Sequence, residues 1–563
     1  MARTVAIGIQ DFEAVITKDC FYVDKTFFIK EWWESEDCVT LIARPRRFGK
    51  TLNMSMLDCF FSVKYAERGD LFEKLSIWSE QKYRDLQGTY PVISLTFANV
   101  KETSFDLTRR KINEVLVDLY QKHMFLRDSG LLTEKEVQYF DRVDWDMDDS
   151  TASLALYRLS DYMSRYYGKN VIILMDEYDT PMQEAYVYGY WDEMAAYTRN
   201  LFNAAFKTNR YLARAIMTGV TRVGKESIFS DLNNLEVVTT TSDKYAEAFG
   251  FTEEEVFAAM DEHGYTNKGE IKRWYDGFAF GAKTDIYNPW SILNFLDKGK
   301  LGTYWANASS NSLADLLIRE GSPRIKQDFE VLMNRGSIIV PVDEQIVYSQ
   351  LDDNEDAVFG LLLACGYLKV LSVDDSPLLQ GTGDLMYELT MTNREVRLMF
   401  ASLVRGWFKG RVQGDYNGFI QALLKDDKKL MNIYMDKVAL QTISYFDSGS
   451  HPSGSEPERF YHGFVLGLLV ELYDRYAVTS NRESGYGRYD IMLEPRSAAD
   501  AAMILEFKVY DPGEEKSLED TVASALRQIE EKQYEQALAD KGIPEEKIRR
   551  YGFAFEGKRV LIG

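Results

Sequence analysis

Residues 39–51 read Val39-Thr40-Leu41-Ile42-Ala43-Arg44-Pro45-Arg46-Arg47-Phe48-Gly49-Lys50-Thr51, an apolar run that leads into a basic loop. The first five residues, apolar or β-branched, predict a buried strand, and the spacing from Thr51 to Phe61 predicts a helix. The loop between them matches the phosphate-binding pattern G-x-x-x-x-G-K-[ST], except that Arg44 stands at the first glycine position. Gly-Lys-Thr can open a helix by chance, but the strand, the spacing and the helix together favour a phosphate-binding loop.

The residue types of this loop fit nucleotide chemistry. Gly49 lets the backbone approach a phosphate, and the free N–H groups at the start of the helix face the anion. Lys50 would reach the β- and γ-phosphates, and the Thr51 hydroxyl would hold Mg²⁺. The sequence therefore predicts ATP and Mg²⁺ as ligands, with the cofactor-binding residues Arg47, Phe48, Gly49, Lys50, Thr51 and Leu52.

A second apolar strand ends in two carboxylates. The run from Val171 to Met175 is followed by Asp176 and Glu177. Asp176 is predicted to bind Mg²⁺, directly or through water, and Glu177 to orient the water that attacks the terminal phosphate. Strands commonly end in acidic turns, so this pair indicates hydrolysis only in combination with the phosphate-binding loop.

Strand-like and helical segments alternate through the N-terminal part, which predicts an α/β fold with a parallel sheet covered by helices. The predicted strands are 39–43, 90–97, 171–175 and 213–220, and the predicted helices are 51–61, 107–123, 151–167 and 191–207. Residues 447–457, rich in Ser, Gly and Pro, are predicted to be a linker. The predicted domains are a P-loop domain at 1–242, a mainly helical middle region at 243–446 and an α/β module at 458–563.

The C-terminal module carries a second set of acidic residues. Residues 480–493 are predicted to form a strand, a turn and a strand, and a further strand is predicted from Ala502 to Val509. On that last strand Glu506 and Lys508 share one face, because side chains alternate. Asp490 and Glu506 would hold Mg²⁺ or Mn²⁺, and Lys508 would position a water for attack on a phosphodiester. The simpler interpretation is an amphipathic hairpin with a surface ion pair.

Several motifs resemble known families. Tyr22-Val23-Asp24-Lys25-Thr26, the loop at 43–52 and Met217-Thr218-Gly219-Val220-Thr221-Arg222 resemble the bacterial AAA-ATPase-like family, in which Arg is usual at the first P-loop position. Trp274-Tyr275-Asp276-Gly277-Phe278 and Tyr287-Asn288-Pro289-Trp290-Ser291 match the middle region of that family. The order helix, strand, Asp-strand, Glu-x-Lys-strand, helix is similar to the PD-(D/E)XK nuclease fold, although Tyr489 replaces the proline of the motif.

The resemblance covers essentially the whole chain and implies a P-loop ATPase joined to a nuclease-like domain. It implies that Thr218 senses the γ-phosphate, with Arg222 behind it. It also implies that Gln528 and Tyr534, on a predicted helix from Leu518 to Lys541, contact metal-bound water or phosphate. The expected catalytic residues are therefore Glu177, Asp490, Glu506, Lys508 and Gln528, and the expected metal ligands are Thr51, Asp176, Asp490 and Glu506.

The two C-terminal acids lead to a geometric expectation. Asp490 and Glu506 should lie about 4–5 Å apart on neighbouring strands, close enough to share one cation. Two such carboxyl groups repel each other, so at least one should have a raised pKa. Lys508 should point to the same side.

Composition narrows the class of protein. The chain has 563 residues, of which 45% are hydrophobic and 27% charged, as in ordinary globular domains. No apolar run approaches the ~20 residues of a membrane helix, no secretory signal is visible, and four scattered cysteines fit a reducing compartment. We therefore expect a cytoplasmic protein with no membrane partner.

The charge balance bears on the partner. A net charge of −22 disfavours a general nucleic-acid coat protein, but a local basic groove can exist within an acidic whole. The favoured function is that of an ATP-hydrolysing protein coupled to a metal-dependent nuclease domain that acts on DNA, or RNA. The sequence is compatible with a homo-oligomer. The alternative is a signalling or scaffold NTPase whose nuclease-like domain binds nucleic acid or protein without cleaving it. Intact Asp490, Glu506 and Lys508 favour the enzyme, whereas the acidity favours the alternative.

Overall fold

A computed structural model describes residues 2–222, 228–229, 232–305, 312–343, 351, 354–374, 385–407, 411–446, 464, 466–468, 470–484, 487–513, 515–556 and 559–563. The chain forms two compact units. The first unit consists of Met1–Ser309 and Ile339–Val396, and the second of Ser310–Ile338 and Arg397–Gly563. Residues 243–446 are thus divided between the units, and the predicted linker at 447–457 lies outside the described residues.

The first unit is built on a parallel sheet of five strands. These are β1 (Val39–Ala43), β2 (Val92–Thr96), β3 (Val171–Asp176), β4 (Leu212–Gly219) and β5 (Leu235–Val238), in the order β2-β3-β4-β1-β5. Every residue of β1 and β3 is buried, as expected for a sheet covered on both faces. The predicted α/β fold is therefore confirmed. Since β4 lies between β1 and β3, the carboxyl ends of all three strands meet at one edge.

Helices cover this sheet and continue into the later part of the unit. They are α1 (Phe12–Thr17), α2 (Phe27–Ser35), α3 (Lys50–Phe61), α4 (Gln81–Leu86), α5 (Phe105–Lys122), α6 (Met124–Arg127), α7 (Glu134–Arg142), α8 (Asp149–Tyr167), α9 (Thr180–Tyr188), α10 (Trp191–Phe202), α11 (Glu253–Glu262), α12 (Lys268–Tyr275) and α13 (Pro289–Lys298). After α14 (Ser312–Glu320) and α15 (Pro323–Met333) of the second unit, the first unit continues with α16 (Glu355–Ala364). Across the described parts of both units, no helix has both the length and the apolar composition that crossing a bilayer requires.

The region predicted to be mainly helical also contains two small sheets. Strands β6 (Phe251–Thr252), β7 (Phe278–Phe280) and β8 (Lys283–Tyr287) form an antiparallel sheet in the order β6-β8-β7. Strands β9 (Ile338–Pro341), β10 (Leu368–Asp374) and β11 (Met386–Met391) form another, in the order β10-β11-β9. Phe278 and Phe280 of β7 are buried and pack against Phe48 of the phosphate-binding loop.

The second unit contains a mixed sheet with α helices. Its strands are β12 (Tyr476–Ser484), β13 (Gly487–Pro495), β14 (Ala502–Val509), β15 (Ile548–Glu556) and β16 (Arg559–Ile562), in sequential order, with only β14 and β15 parallel among the described pairs. Its helices are α14 (Ser312–Glu320), α15 (Pro323–Met333), α17 (Arg394–Trp407), which begins at the end of the first unit, α18 (Arg411–Lys425), α19 (Lys428–Phe446), α20 (Leu518–Glu531) and α21 (Gln536–Ala539).

The predicted single helix from Leu518 to Lys541 is wrong in its length. Helix α20 ends at Glu531, and Gln533 has a left-handed backbone with φ of 53°. This break turns the chain so that Tyr534, 1% exposed, packs into the core beside Ile529 and Leu538. Burial of an aromatic ring outweighs the good helix propensity of the surrounding residues.

Both edges of the C-terminal sheet are bonded to helices from earlier in the chain. At the β12 edge, the Asn334 amide after α15 donates to the Val478 carbonyl oxygen at 2.9 Å, and the Ser480 hydroxyl donates to Glu330. At the β16 edge, Asn432 of α19 donates to the Ile562 carbonyl oxygen at 2.9 Å and accepts from the Ile562 N–H at 2.8 Å. Side chains thus satisfy backbone groups that an open sheet edge would expose.

Candidate functional site

The loop between β1 and α3 curves around the ammonium group of Lys50. Lys50 is 4% exposed, and its Nζ donates to the carbonyl oxygens of Arg44 at 2.9 Å and Pro45 at 3.0 Å. Gly49 has φ of 86°, a left-handed conformation that glycine adopts without strain, and α3 begins directly after it. The first N–H groups of α3 have no partner within the helix, so they are available to an anion beside Lys50.

Two hydroxyl groups hold the carboxylate at the end of β3. Thr51 Oγ1 donates to Asp176 Oδ2 at 2.6 Å, and the Thr218 hydroxyl at the end of β4 donates to Asp176 Oδ1. Burial raises the pKa of Asp176, whereas these two hydrogen bonds lower it. The strand order explains the arrangement, because β4 brings Thr218 between the phosphate-binding loop and β3. The structure therefore brings together Lys50, Thr51, Asp176 and Thr218, which the sequence placed in one site.

Glu177 follows Asp176 in an unusual backbone conformation. Its φ is 56°, in the left-handed region that costs energy for a residue with a side chain. The half-buried carboxylate accepts a hydrogen bond from Thr180 Oγ1 at 3.2 Å, and its charge raises the pKa of Asp176. The Glu177 carboxylate thus lies close enough to Asp176 for its charge to act on that group.

Arg44, at the position of the usual first glycine, anchors the loop. Its side chain is fully buried, the guanidinium donates to the carbonyl oxygens of Thr239 and Lys244, and it lies 4.3 Å from the centre of the Phe280 ring. Arg44 holds the start of the loop by contacts that a glycine cannot make.

The other predicted loop residues have distinct environments. Phe48 is 1% exposed and packs on Phe278 and Phe280, with ring centres 4.8 and 5.5 Å away, so its contribution to nucleotide binding would come from its backbone. Arg47 is exposed, and its guanidinium lies 4.4 Å from the Trp290 ring centre. Leu52 is half-buried in the first turn of α3. Their part in nucleotide binding stays a prediction.

The sequence reasoning missed a set of residues that hold Arg46. The Arg46 carbonyl oxygen accepts hydrogen bonds from Trp305 Nε1 at 2.9 Å and from Asn288 Nδ2 at 3.3 Å. The Arg46 guanidinium donates to Gln183 Oε1 at 3.0 Å. Asn288 belongs to a motif quoted above, but nothing in its local sequence indicates that it contacts a loop some 240 residues earlier.

A second site lies where β13 and β14 pair. The antiparallel register pairs Ile491 with Leu505, and continued by one residue it places Asp490 opposite Glu506. Directly opposed residues have Cβ atoms about 4.5–5.5 Å apart, on the same face. Asp490 Oδ2 accepts the backbone N–H of Phe507 at 2.7 Å, which holds the carboxylate beside Glu506. Asp490 and Glu506 are therefore neighbours on adjacent strands.

The electrostatics of Glu506 reflect this neighbour. Burial and then the charge of Asp490 raise the pKa of Glu506 to about 8. The opposing influences are the Asp490 backbone N–H, the charge of Lys508 and a hydrogen bond from Gln528. Glu506 is 2% exposed, and its Oε2 accepts no hydrogen bond from the described residues. The expected raised pKa is thus present, on Glu506.

Gln528 of α20 links Glu506 to Tyr534. Its Nε2 donates to Glu506 Oε1 and also to the Tyr534 hydroxyl at 3.1 Å. Lys508, two residues after Glu506 on β14, is half-buried, and its charge acts on Glu506. The structure therefore assembles Asp490, Glu506, Lys508 and Gln528, with Tyr534 behind Gln528.

The donor set of this second site fits a hard divalent cation. The described residues contain no group of three or more His, Cys, Asp or Glu side chains arranged to hold a metal. Mg²⁺ commonly uses one or two carboxylates and completes its shell with water and substrate oxygens. Asp490 and Glu506 supply two carboxylates, and the unpaired Glu506 Oε2 is a buried acceptor that a cation would satisfy.

Comparison with known proteins agrees with this division. Residues 6–229 match the family described as Predicted AAA-ATPase, and residues 456–563 match the PD-(D/E)XK nuclease superfamily. The chain is also similar to the uncharacterized protein in the vnfD 5′ region of Azotobacter chroococcum mcd 1, at 27% identity over 595 residues, covering 100% of this chain and 98% of that protein. The resemblance seen in the sequence motifs is confirmed: the chain joins a domain of the predicted AAA-ATPase family to a domain of the PD-(D/E)XK nuclease superfamily.

Proposed function

We propose that this protein binds and hydrolyses ATP with its N-terminal domain and cleaves DNA, or RNA, with its C-terminal domain in a reaction that needs Mg²⁺ or Mn²⁺. The observation that carries the proposal is that each domain holds a buried acidic side chain among polar partners, Asp176 in the first and Glu506 in the second. Asp176 lies between Thr51 and Thr218, and Asp490 lies opposite Glu506. Four cysteines without disulfides are consistent with a cytoplasmic location.

In the first site, the residues have separable tasks. Lys50 and the N–H groups of α3 would bind the β- and γ-phosphates, while Thr51 and Asp176 would hold the Mg²⁺ that accompanies ATP. Glu177 would accept a hydrogen bond from the attacking water and align it with the γ-phosphorus. Thr218, whose hydroxyl donates to Asp176, would sense the presence of the γ-phosphate.

In the second site, Asp490 and Glu506 would hold the cation, which when bound neutralises charge on the scissile phosphodiester. Lys508 would orient a water molecule beside that phosphate and favour loss of its proton. Gln528 fixes the orientation of the Glu506 carboxylate by donating to Oε1, which leaves Oε2 for the cation. A pair of carboxylates kept close in this way is costly without a cation, which supports a metal-binding role.

The direct test is incubation of the purified full-length protein with supercoiled plasmid and with RNA, with Mg²⁺ or Mn²⁺, and with or without ATP. We expect divalent-dependent cleavage of at least one substrate and release of phosphate from ATP. Phosphate release with no cleavage of either substrate would contradict the nuclease half of the proposal. It would favour a scaffold that binds nucleic acid or protein without cutting.

Glu177→Gln separates ATP binding from turnover. The substitution keeps the size and removes the charge that orients water, so ATP affinity should stay within about twofold while kcat falls on the order of 10²-fold or more. Calorimetry and a phosphate-release assay measure the two quantities. Glu193→Gln, at an exposed position on α10, is the matched control and should change neither. A wild-type kcat in Glu177→Gln would leave Glu177 as an ordinary acid at a strand end.

Gln528→Leu tests the support of the second site. Without the amide donor, Glu506 loses the bond that orients it, and loss of such a supporting bond typically weakens metal binding about 10–100-fold. The Mg²⁺ concentration for half-maximal cleavage should rise by that factor. Gln536→Leu, an exposed position on α21, is the control. An unchanged Mg²⁺ requirement in Gln528→Leu would mean that Gln528 only packs against Glu506.

A further inference from the structure

A single buried carboxylate, Asp179, joins the loop after β3 to the loop after β4. Asp179 is fully buried. Its Oδ2 accepts hydrogen bonds at 2.9 Å from the backbone N–H groups of Val220 and Thr221 and from the Thr221 hydroxyl. Three donors on the consecutive residues Val220 and Thr221 thus converge on the single oxygen atom Oδ2 of Asp179.

Tyr178 makes two further hydrogen bonds between these segments of the chain. The Tyr178 N–H donates to the Thr218 carbonyl oxygen at 3.0 Å, and the Tyr178 hydroxyl donates to the Thr221 carbonyl oxygen at 2.8 Å. A Cβ atom on Gly219 would lie 2.7 Å from both Asp179 Oδ1 and Tyr178 Cε1, so only glycine permits this approach. Tyr178 and Asp179, which follow Glu177, are therefore fastened to the end of β4 and to the two residues after it, Val220 and Thr221.

The same carboxylate is linked to the phosphate-binding loop. Gln183 Nε2 donates to Asp179 Oδ2 at 3.1 Å, and Gln183 Oε1 accepts from the Arg46 guanidinium at 3.0 Å. A chain of hydrogen bonds thus runs from Arg46 through Gln183 and Asp179 to Thr221. It connects the three loops at whose meeting point Lys50, Glu177 and Thr218 lie.

We propose that Asp179 is a positioning residue for recognition of the terminal phosphate of ATP, because it fixes the segment directly after Thr218 and β4 against the loop of Glu177 and connects both to Arg46. The inference rests on the proposed ATP-binding function and deepens it. ADP lacks the group that Thr218 and Glu177 would face, so its affinity should depend little on Asp179. Affinity for ATP, and turnover, should depend on it strongly.

A purely structural role is the competing explanation. Buried carboxylates that accept backbone N–H groups commonly stabilise a fold, and burial with the nearby charge of Glu177 raises the pKa of Asp179, a sign of an energetically costly group. If the role is purely structural, its loss in a variant would lower the stability of the protein whether or not nucleotide is bound. It would not change the ratio of the affinities for a triphosphate and a diphosphate.

The experiment measures, in the full-length protein, the dissociation constants of ADP and of ATPγS, the kcat for ATP, and the thermal midpoint. Thr221→Val removes one donor to Asp179, and Gln183→Leu breaks the link to Arg46; both are milder than loss of the carboxylate. In both variants we expect the affinity for ADP to stay within about twofold of wild type. The preference for ATPγS over ADP should fall tenfold or more. We also expect kcat to fall on the order of 10–10²-fold.

Two variants of Asp179 and one control complete the design. Asp179→Asn keeps an acceptor oxygen for the loop N–H groups and should lie between wild type and Asp179→Ala in both preference and kcat. Asn113→Ala removes another buried polar side chain, which donates to the carbonyl oxygens of Trp145 and Met147, and should lower only the thermal midpoint.

The outcomes separate the inference from the function on which it rests. If Thr221→Val, Gln183→Leu and Asp179→Asn lower the thermal midpoint but keep the wild-type preference for ATPγS and the wild-type kcat, Asp179 is structural and the inference is overturned. If the wild-type protein binds neither nucleotide, the proposed function itself fails, and the inference with it.

Discussion

Lys50→Ala is expected to remove most of the affinity for ATP. The ammonium group is buried inside the curve of the loop, where two carbonyl oxygens hold it beside the N-terminus of α3. Bonds from a charged donor to phosphate oxygens are each worth about 1.5–3 kcal/mol, so loss of two would weaken binding by roughly a hundredfold or more. Titration calorimetry with ATP and Mg²⁺ measures the change.

Lys25→Ala is the matched control for this substitution. Lys25 is also a buried lysine of the first unit, but its Nζ donates to the Glu247 carbonyl oxygen and to Glu255, each at 2.7 Å. Its removal should reduce stability while the folded protein keeps its ATP affinity. Equal ATP affinity in Lys50→Ala and wild type would show that the loop from Arg44 to Gly49 does not bind the phosphates.

Asp490→Asn and Glu506→Gln should each abolish divalent-dependent cleavage, a loss of about 10³-fold or more, while ATP binding stays normal. Asn at 490 can still accept the Phe507 N–H, so the strand pairing is kept and only the charge is removed. Gln at 506 removes the second charged ligand. The two acids belong to the second unit and the phosphate-binding loop to the first, so nucleotide affinity should not change.

Glu494→Gln provides the control on the same strand. Glu494 lies four residues after Asp490 on β13 and pairs with Lys541, away from Glu506. The Glu494→Gln variant should cleave nucleic acid at the wild-type rate. Persistent Mg²⁺-dependent cleavage in Asp490→Asn and Glu506→Gln would assign the activity to other residues. If the wild type cleaves neither DNA nor RNA but binds Mg²⁺, and the two variants lose that Mg²⁺ binding, the non-cleaving alternative is supported instead.

Much of the fold followed from local sequence. Strands β1 and β14 have the bounds that the sequence predicted. For β1 the reason is burial on both faces, which leaves a continuous apolar signature. The alternation along β14 likewise predicted that Glu506 and Lys508 share one face, and the charge of Lys508 does act on Glu506. What the sequence could not show were contacts between distant segments, such as Arg44 with Thr239, or Trp305 with Arg46.

The N-terminal site predicted from the sequence lacked Asp179 for the same reason. Asp179 follows Glu177 by two residues, but a second acid after a strand is ordinary, and its bonds to Val220 and Thr221 depend on how two loops meet. The end of α20 at Glu531 depends on burial of Tyr534, a tertiary effect that overrides local helix preference.

The helices that bond to the edges of the C-terminal sheet limit how the chain can be shortened. A fragment beginning near residue 458 would contain all five strands but neither Asn334 and Glu330 at one edge nor Asn432 at the other. Its two outer strands would present bare N–H and C=O groups, which invite strand addition between molecules. Expressed alone, such a fragment should aggregate, so inactivity of the excised domain would say nothing about the proposed roles of Asp490 and Glu506.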